Sequence, residues 1–226
     1  MSIGRLCPIQ SALMKEKLLL VNMRDEVLGS ATKEQAHLMD NIKTGKMLHR
    51  AFSLFIFNSD NELMMQRRAP TKITFPGLYT NSCCSHPLST IQGETEGAAG
   101  VISAAVRRVE DELGITELNQ EDIQHMTRIV YYGPSSEQWG EHELDHVLIA
   151  KKEVPFAANP NEVSEVLFLK RKDLDDFLCD KKKYPVTPWF DIIANSMLKT
   201  WWDNLDNLQN IKDDKIHFFS SPSDKE

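Results

Sequence analysis

Cysteine is scarce: four in 226 residues, at Cys7, Cys83, Cys84 and Cys179. That is too few for a disulfide scaffold in a chain of this length. The vicinal Cys83–Cys84 pair also lacks the C-x-x-C spacing of redox and zinc motifs, so a reducing compartment is the expectation. No apolar run approaches the ~20 residues of a membrane span. Leu18-Leu19-Leu20-Val21 is too short for a signal core, and charges precede it. Asp224-Lys225-Glu226 is neither a peroxisomal tripeptide nor an ER-retention signal; the cytoplasm is the expected location, and peroxisomal entry would need a partner. Positive charge is not in excess either. The 26 basic residues against 33 acidic give a net charge of -7, which argues against nucleic acid as the main partner. A small anionic ligand remains possible, since a few local cations suffice for one. The chain is expected to be a monomer.

What is present is ordinary globular material, 41% hydrophobic and 26% charged, enough for one generous domain. Residues 1–16 read as a loosely ordered lead-in, 17–211 as the domain and 212–226 as a polar, frayed tail. Lys17 to Met23 reads as a strand with Arg24-Asp25-Glu26 as its turn, followed by a polar stretch through Gly45. His49 to Phe57 is a nearly continuous apolar strand, buried on both faces by expectation. Asn58 to Asn61 turns it into a second strand, Glu62 to Gln66. The loop from Ala69 to Pro87 carries Pro70, Pro76, Gly77 and Pro87, and loops of that length inside a domain are usually functional. Residues 99–113 repeat Ile102, Val106, Val109 and Leu113 at helical spacing, with Gly114 at the C-terminal cap. Strands are expected near 125–132, 141–150 and 163–169, with helices near 172–179 and 189–205. Strands and helices interleave without strict βαβ alternation, so the fold class is α/β, with a mixed β-sheet packed between helices.

The sharpest local signal is Trp139-Gly140-Glu141-His142-Glu143. On a strand, Glu141 and Glu143 share one face, continued inward by Val147 and Ile149. Two carboxylates on a buried face repel each other unless something positive lies between them, and a divalent cation is the economical answer; a solvated face is the plain alternative. His37, His49 and His86 bear on that choice, because imidazole is the common transition-metal ligand, although their convergence is not visible in the sequence. Cys84 and His86, at i and i+2, point the same way in an extended segment. A cation there would lower the thiol's pKa and make its thiolate available as a base, whereas a cysteine is more often a small buried hydrophobe.

Arg107-Arg108-Val109-Glu110-Asp111-Glu112-Leu113-Gly114-Ile115 resembles the tail of the Nudix box, R-E-U-x-E-E-x-G-U, with Arg108 and Asp111 as substitutions. Gly93 stands at the box's upstream glycine, while Ala99 occupies the position of its first glutamate. A Nudix-like fold follows from the resemblance, and ordinary Nudix hydrolysis does not. Taken together, His49-Arg-Ala-Phe-Ser, Lys72-Ile-Thr-Phe-Pro-Gly, Thr80-Asn-Ser-Cys-Cys-Ser-His-Pro, Trp139-Gly-Glu-His-Glu and Thr187-Pro-Trp-Phe resemble type I isopentenyl-diphosphate isomerase, in that family's order and spacing. The likeness runs from about residue 17 to Trp201-Trp202.

The resemblance implies interconversion of isopentenyl and dimethylallyl diphosphate through a carbocation-like state. It implies Cys84 and Glu143 as the acid/base pair, Tyr131 as the hydrogen-bond donor to the acidic group and Trp189 at the apolar end of the substrate. It further implies His37, His49, His86, Glu141 and Glu143 as ligands of a divalent metal (Mn, Mg or Zn), and Lys33, Arg68, Lys72 and Arg108 as diphosphate contacts. Glu112 would bind a Mg bridging to the diphosphate. By residue type alone, Trp189 is a core aromatic and each basic residue a solvated charge. Competing readings are a Nudix hydrolase of a nucleoside or sugar diphosphate, and a non-catalytic module that binds prenyl diphosphates.

Overall fold

The computed structural model describes residues 8–222. The apolar run His49–Phe57 becomes the spine of the sheet and is buried at every position. Around it the chain runs α1 (Pro8–Leu13), β1 (Lys17–Val21), β2 (Val27–Thr32), α2 (Lys33–His37), α3 (Met39–Ile42), β3 (His49–Phe57), β4 (Leu63–Arg68), β5 (Tyr79–Thr80), β6 (Cys83–Ser85) and α4 (Gly97–Leu113). Then follow β7 (Ile123–Pro134), β8 (Gly140–Lys151), β9 (Val163–Leu169), α5 (Leu174–Cys179), α6 (Pro188–Ile193), α7 (Lys199–Trp202) and β10 (Ile216–Phe218).

The sheet is mixed, with β10, β7, β8, β3, β1 and β2 in spatial order. β3 and β8 run parallel and in register from His49↔Glu143 to Phe57↔Lys151, while β7 pairs antiparallel with β8, Tyr131 opposite Glu143. Because side chains alternate across a strand, each face of β3 and β8 has its own cover. Phe52, Leu54, Ile56 and Leu148 meet Val101, Ala104, Ala105 and Val109 of α4. Phe55, Phe57, Val147 and Ile149 meet Leu174, Phe177, Phe190, Ile193 and Trp202 of the C-terminal helices. The sheet is thus packed between helices, as expected. Truncating one of these fully buried side chains to Ala costs ~2–5 kcal/mol.

The differences from the sequence-based expectations have local causes. β3 and β4 hold their hairpin for only two pairs, Ile56↔Met64 and Phe57↔Leu63. β4 then leaves to pair with β9, and β6 takes its place beside β3. The proline-bearing loop from Ala69 to Pro87 therefore contains two short strands. The polar stretch before Gly45 holds β2, α2 and α3; β2 is almost wholly exposed, so no apolar alternation betrays it. α4 buries Val101, Ala104, Ala105, Val109 and Leu113, a face rotated from the expected one, with Ile102 and Val106 only flanking it. Its C-terminal Gly114 adopts φ 64°, as expected for a cap.

The 189–205 helix is broken by a π-helical turn, Ala194–Leu198. Within the expected lead-in, Pro8–Leu13 is helical with Gln10 buried; residues 1–7 lie outside the described residues. The expected frayed tail contributes β10, paired parallel to β7 through Ile216↔Arg128 and Phe218↔Val130. Its last four residues, 223–226, also lie outside the description. No helix among the described residues is long and apolar enough to cross a membrane.

Candidate active site

The three histidines come from three separate pieces of chain, each fixed locally. Thr32 caps α2 through a capping box: its Oγ accepts from Gln35 N at 3.2 Å while Gln35 Oε1 accepts from Thr32 N at 3.0 Å. That cap places Lys33 in the first turn and His37 in the last. His49 opens β3, and His86 follows β6. His37 Nδ1 lies 2.7 Å from Lys33 O, and His49 Nδ1 lies 2.9 Å from Met47 O. A carbonyl can only accept, so both rings carry the proton on Nδ1 and turn the Nε2 lone pair inward.

There they meet β8. His37 Nε2 is 2.7 Å from Glu141 Oε2, His86 Nε2 is 2.8 Å from Glu143 Oε1, and His49 Nε2 is 3.5 Å from the same Glu143 oxygen. One ligand atom from each of His37, His49, His86, Glu141 and Glu143 lies within 4.8 Å of all the others, and all five residues are buried. His37 Nε2, His49 Nε2 and Glu141 Oε2 nevertheless have no aligned hydrogen-bond partner. Close approach without hydrogen-bond geometry is how ligands of one cation sit, and nitrogen and carboxylate donors in this ratio suit Mn, Mg, Fe or Zn. The residues fit a metal ion. Gly140 is what lets the Glu141 end of β8 close on α3, since a Cβ there would meet Met39 Sδ at 2.5 Å.

Charge in the cluster is balanced by these neighbours. Burial works against the Glu143 carboxylate, but the close approach of His49 and a hydrogen bond from the Tyr131 hydroxyl hold its pKa below the usual range. Tyr131 donates to Glu143 Oε2 in a short contact, and its own pKa is raised well above 10 by burial and by that carboxylate. Burial lowers the His86 pKa, with His49 and Lys33 adding like-charge repulsion. Two residues past Glu143 on the same face is Asp145, which the sequence reading passed over; the i+2 alternation that paired Glu141 with Glu143 reaches it directly. It accepts from Ser53 Oγ at 2.7 Å, and burial next to Glu143 pushes its pKa well up.

Cys84 Sγ faces Thr80 Oγ1 at 3.4 Å, Asn81 Oδ1 at 3.5 Å and Trp189 Nε1 at 3.2 Å, and it is not one of the clustered ligand atoms. Burial pushes its pKa up to about 12, with Arg68 opposing, which favours the protonated thiol. Asn81 is a second residue that sequence reasoning named only within a motif. Its amide donates to Leu54 O and Cys83 O, and its oxygen takes the Trp189 indole N–H at 3.1 Å. Trp189, at the start of α6, packs edge-on to Phe75 at 5.4 Å and lies 6.0 Å from the Tyr131 ring. Cys83 points the other way, fully buried against Glu112.

One pocket is lined by Lys33, His37, Arg68, Lys72, Cys84, His86, Glu141, Glu143 and Trp189, with Thr74 and Ser85. A second, small cavity adjoins it, lined by Gln10 and Leu13 of α1 together with Lys33, Arg68, Lys72 and Thr74. Arg108 and Glu112 do not line the pocket. They sit behind Lys72, with Arg108 bonded to Glu112 Oε1 at 2.6 Å. Arg108 and Lys72 draw the Glu112 pKa down to about 2 against the effect of burial.

The NUDIX domain matches residues 47–190. The chain is 44% identical to isopentenyl-diphosphate Delta-isomerase 1 of Bos taurus over 214 residues, covering 92% of this chain and 94% of that one. It is 45% identical to the Dictyostelium discoideum isopentenyl-diphosphate Delta-isomerase (89% and 87% covered). The chain belongs to the isopentenyl-diphosphate Delta-isomerase family, on a NUDIX fold. Among solved structures, DR0079 from Deinococcus radiodurans superimposes with a TM-score of 0.54 at 19% identity, covering 80% of this chain and 98% of that one. A NUDIX hydrolase from Alicyclobacillus acidocaldarius gives 0.54 at 10% identity, with 73% and 97% covered. These likenesses show the fold alone. Within the family's fold, the box helix has been altered. Ala99 is exposed, and of Glu110, Asp111 and Glu112 only Glu112 is buried. Arg107 is spent on Glu94, with contacts of 2.6 and 2.9 Å.

Proposed function

We propose that this protein interconverts isopentenyl diphosphate and dimethylallyl diphosphate, an isomerisation within isoprenoid biosynthesis. The observation that carries the reading is a thiol and a carboxylate in one pocket, with basic residues in the same lining, in a chain 41–46% identical to isomerases of that name. The reaction adds a proton to one alkene carbon and removes one from another. Cys84 holds a proton to give, and Glu143 holds a carboxylate able to take one; the reverse direction exchanges their parts. After one turnover the thiol and the carboxylate have exchanged protonation states, and proton transfer resets them. Tyr131 keeps one Glu143 oxygen in place, and the Trp189 face lies where a carboxylate would be alkylated by a developing cation and an indole is not. Exclusion of water from the reacting end of the substrate would protect that cation from capture as an alcohol.

A divalent ion held by His37, His49, His86, Glu141 and Glu143, for which Mn, Mg and Zn are the proposed identities, would orient Glu143 and tune its acidity. Lys33, Arg68 and Lys72 are proposed to hold the diphosphate from the pocket lining, with Arg108 adding positive charge from behind them and Glu112 reaching a Mg on the diphosphate only if its Arg108 ion pair rearranges. The described cysteines are free, which fits a cytoplasmic protein, and the protein is proposed to act as a monomer. Hydrolysis by the NUDIX helix finds little support, because its carboxylates are not clustered as water activation requires. The test is incubation with isopentenyl diphosphate, and separately with nucleoside and sugar diphosphates, with Mg and Mn each supplied. Appearance of dimethylallyl diphosphate without phosphate or nucleotide release is expected. Release at about 1 per second or faster without isomerisation would make the protein a hydrolase.

A further inference from the structure

Glu162 belongs to none of the motifs above. It precedes β9 and is only 4% exposed. A carboxylate so deep needs cationic or donor partners, and three distant elements supply them. Lys72 Nζ forms a close ion pair with Oε2, Arg108 lies 3.7 Å from the same oxygen, and Gln10 of α1 donates to Oε1 at 3.0 Å. Lys72 lines the pocket beside Lys33 and Arg68. Lys33 is buried among like charges from Lys72 and Arg108, with Glu16 and Glu162 as the compensating carboxylates. An internal anion therefore sits among the cations assigned to the diphosphate.

We propose that Glu162 is a positioning residue that acts as a built-in competitor for the substrate's diphosphate, holding Lys72 and Arg108 ready and surrendering the Lys72 ion pair when the diphosphate arrives. The proposal rests on the diphosphate reading given above. Glu112 holds Arg108 and Glu16 offsets Lys33, but without Glu162 nothing would draw Lys72 in among these like charges, and it would be repelled outward. Glu162 keeps them together, at the cost of some affinity, since its ion pair has to be exchanged. That cost is useful: binding substrate, product and transition state equally tightly does not raise kcat.

The test uses inorganic pyrophosphate with Mg as probe, titrated calorimetrically into the wild-type protein and Glu162→Gln, alongside steady-state kinetics with isopentenyl diphosphate. Gln is isosteric, and its carbonyl can still accept from Gln10. The expected result is pyrophosphate bound about tenfold more tightly by the variant, equivalent to about 1.4 kcal/mol, with kcat and KM both lowered. A residue that only supported the fold would lower the melting temperature and leave KM unchanged or raised. Equal or weaker pyrophosphate binding by Glu162→Gln overturns the proposal. Should that variant fail to fold, Glu162→Asp keeps the charge but draws it back from Lys72 by one methylene; a smaller tightening is expected, and none would refute the idea. Pyrophosphate bound by neither protein would sink the diphosphate reading and this proposal with it. Equal binding by both sinks only the proposal.

Discussion

Trp189 makes two contributions that substitution can separate. Its indole N–H donates to Asn81 Oδ1 at 3.1 Å and faces Cys84 Sγ at 3.2 Å, while its ring carries the quadrupole set between Phe75 and Arg68. Trp189→Phe keeps an aromatic face and loses the N–H. Asn81 Oδ1 retains its bond from Thr80 Oγ1, so the loss is one net hydrogen bond, about 1 kcal/mol, together with some freedom of the thiol. If all of it falls on the transition state, kcat/KM drops roughly fivefold. Trp189→Leu loses the same N–H and also the aromatic face. A desolvated cation–π contribution of about 2 kcal/mol then brings the total near 3 kcal/mol, a fall of roughly 150-fold. The assay is initial-rate conversion of isopentenyl diphosphate at several concentrations, with thermal unfolding of each variant as a control for packing. The order Trp, Phe, Leu is the expected outcome. Equal rates for Phe and Leu would mean that the ring face does nothing for the cation and that Trp189 only packs.

Cys84→Ala should abolish isomerisation while leaving metal content and folding nearly intact, and Cys83→Ala should cost far less; turnover by Cys84→Ala within tenfold of wild type would remove the thiol from the mechanism. Stripping divalent ions with a chelator should end activity and lower the melting temperature, because Glu141 and Glu143 would lose the positive charge between them. A fully active preparation without tightly bound metal by elemental analysis would contradict this. On the far face of the sheet, Asp25 Oδ2 accepts from His146 Nε2 at 2.9 Å, so His146 Nδ1 accepts from His125 Nε2 at 3.0 Å. Burial and the neighbouring His146 lower the His125 pKa to about 4, so the unfolded chain takes up this proton first as pH falls. Stability is fully present above about pH 6.5 and drains away toward pH 4, by at most about 1.4 kcal/mol per unit and less for a partly exposed ring. His125→Gln, which can still donate to His146, should flatten the melting temperature against pH in that window, and an unchanged slope would refute the assignment.

What could be read from the sequence, and what could not, follows the reach of each interaction. Glu141 and Glu143 share a face because strand alternation is local, and Gly114 ends its helix for an equally local reason. The convergence of His37, His49 and His86 is a product of topology, since a capped helix, a strand start and the end of β6 are joined only through the sheet; here family resemblance supplied what periodicity could not. The capping box Thr32–Gln35 was a readable local signal for α2, unlike α1, which is only six residues long and is held to Glu162 from 152 positions away. The Cys84 thiol shows the same limit in its chemistry. Its spacing from His86 left two readings, a thiolate beside a cation or a small buried hydrophobe; its neighbours are a hydroxyl, an amide oxygen and an indole N–H, and burial raises its pKa. Under the proposed function the raised pKa matters, because a site with a thiolate and a carboxylate would hold two bases and nothing to protonate the alkene. The NUDIX helix underwent a parallel change. With Ala99 at the surface and Arg107 bonded to Glu94, its remaining buried carboxylate, Glu112, is bonded to Arg108 behind Lys72. Under the proposed function, a helix that in a hydrolase would gather metals to activate water would instead organise charge around a diphosphate, with the reacting end of the substrate among Cys84, Glu143 and Trp189.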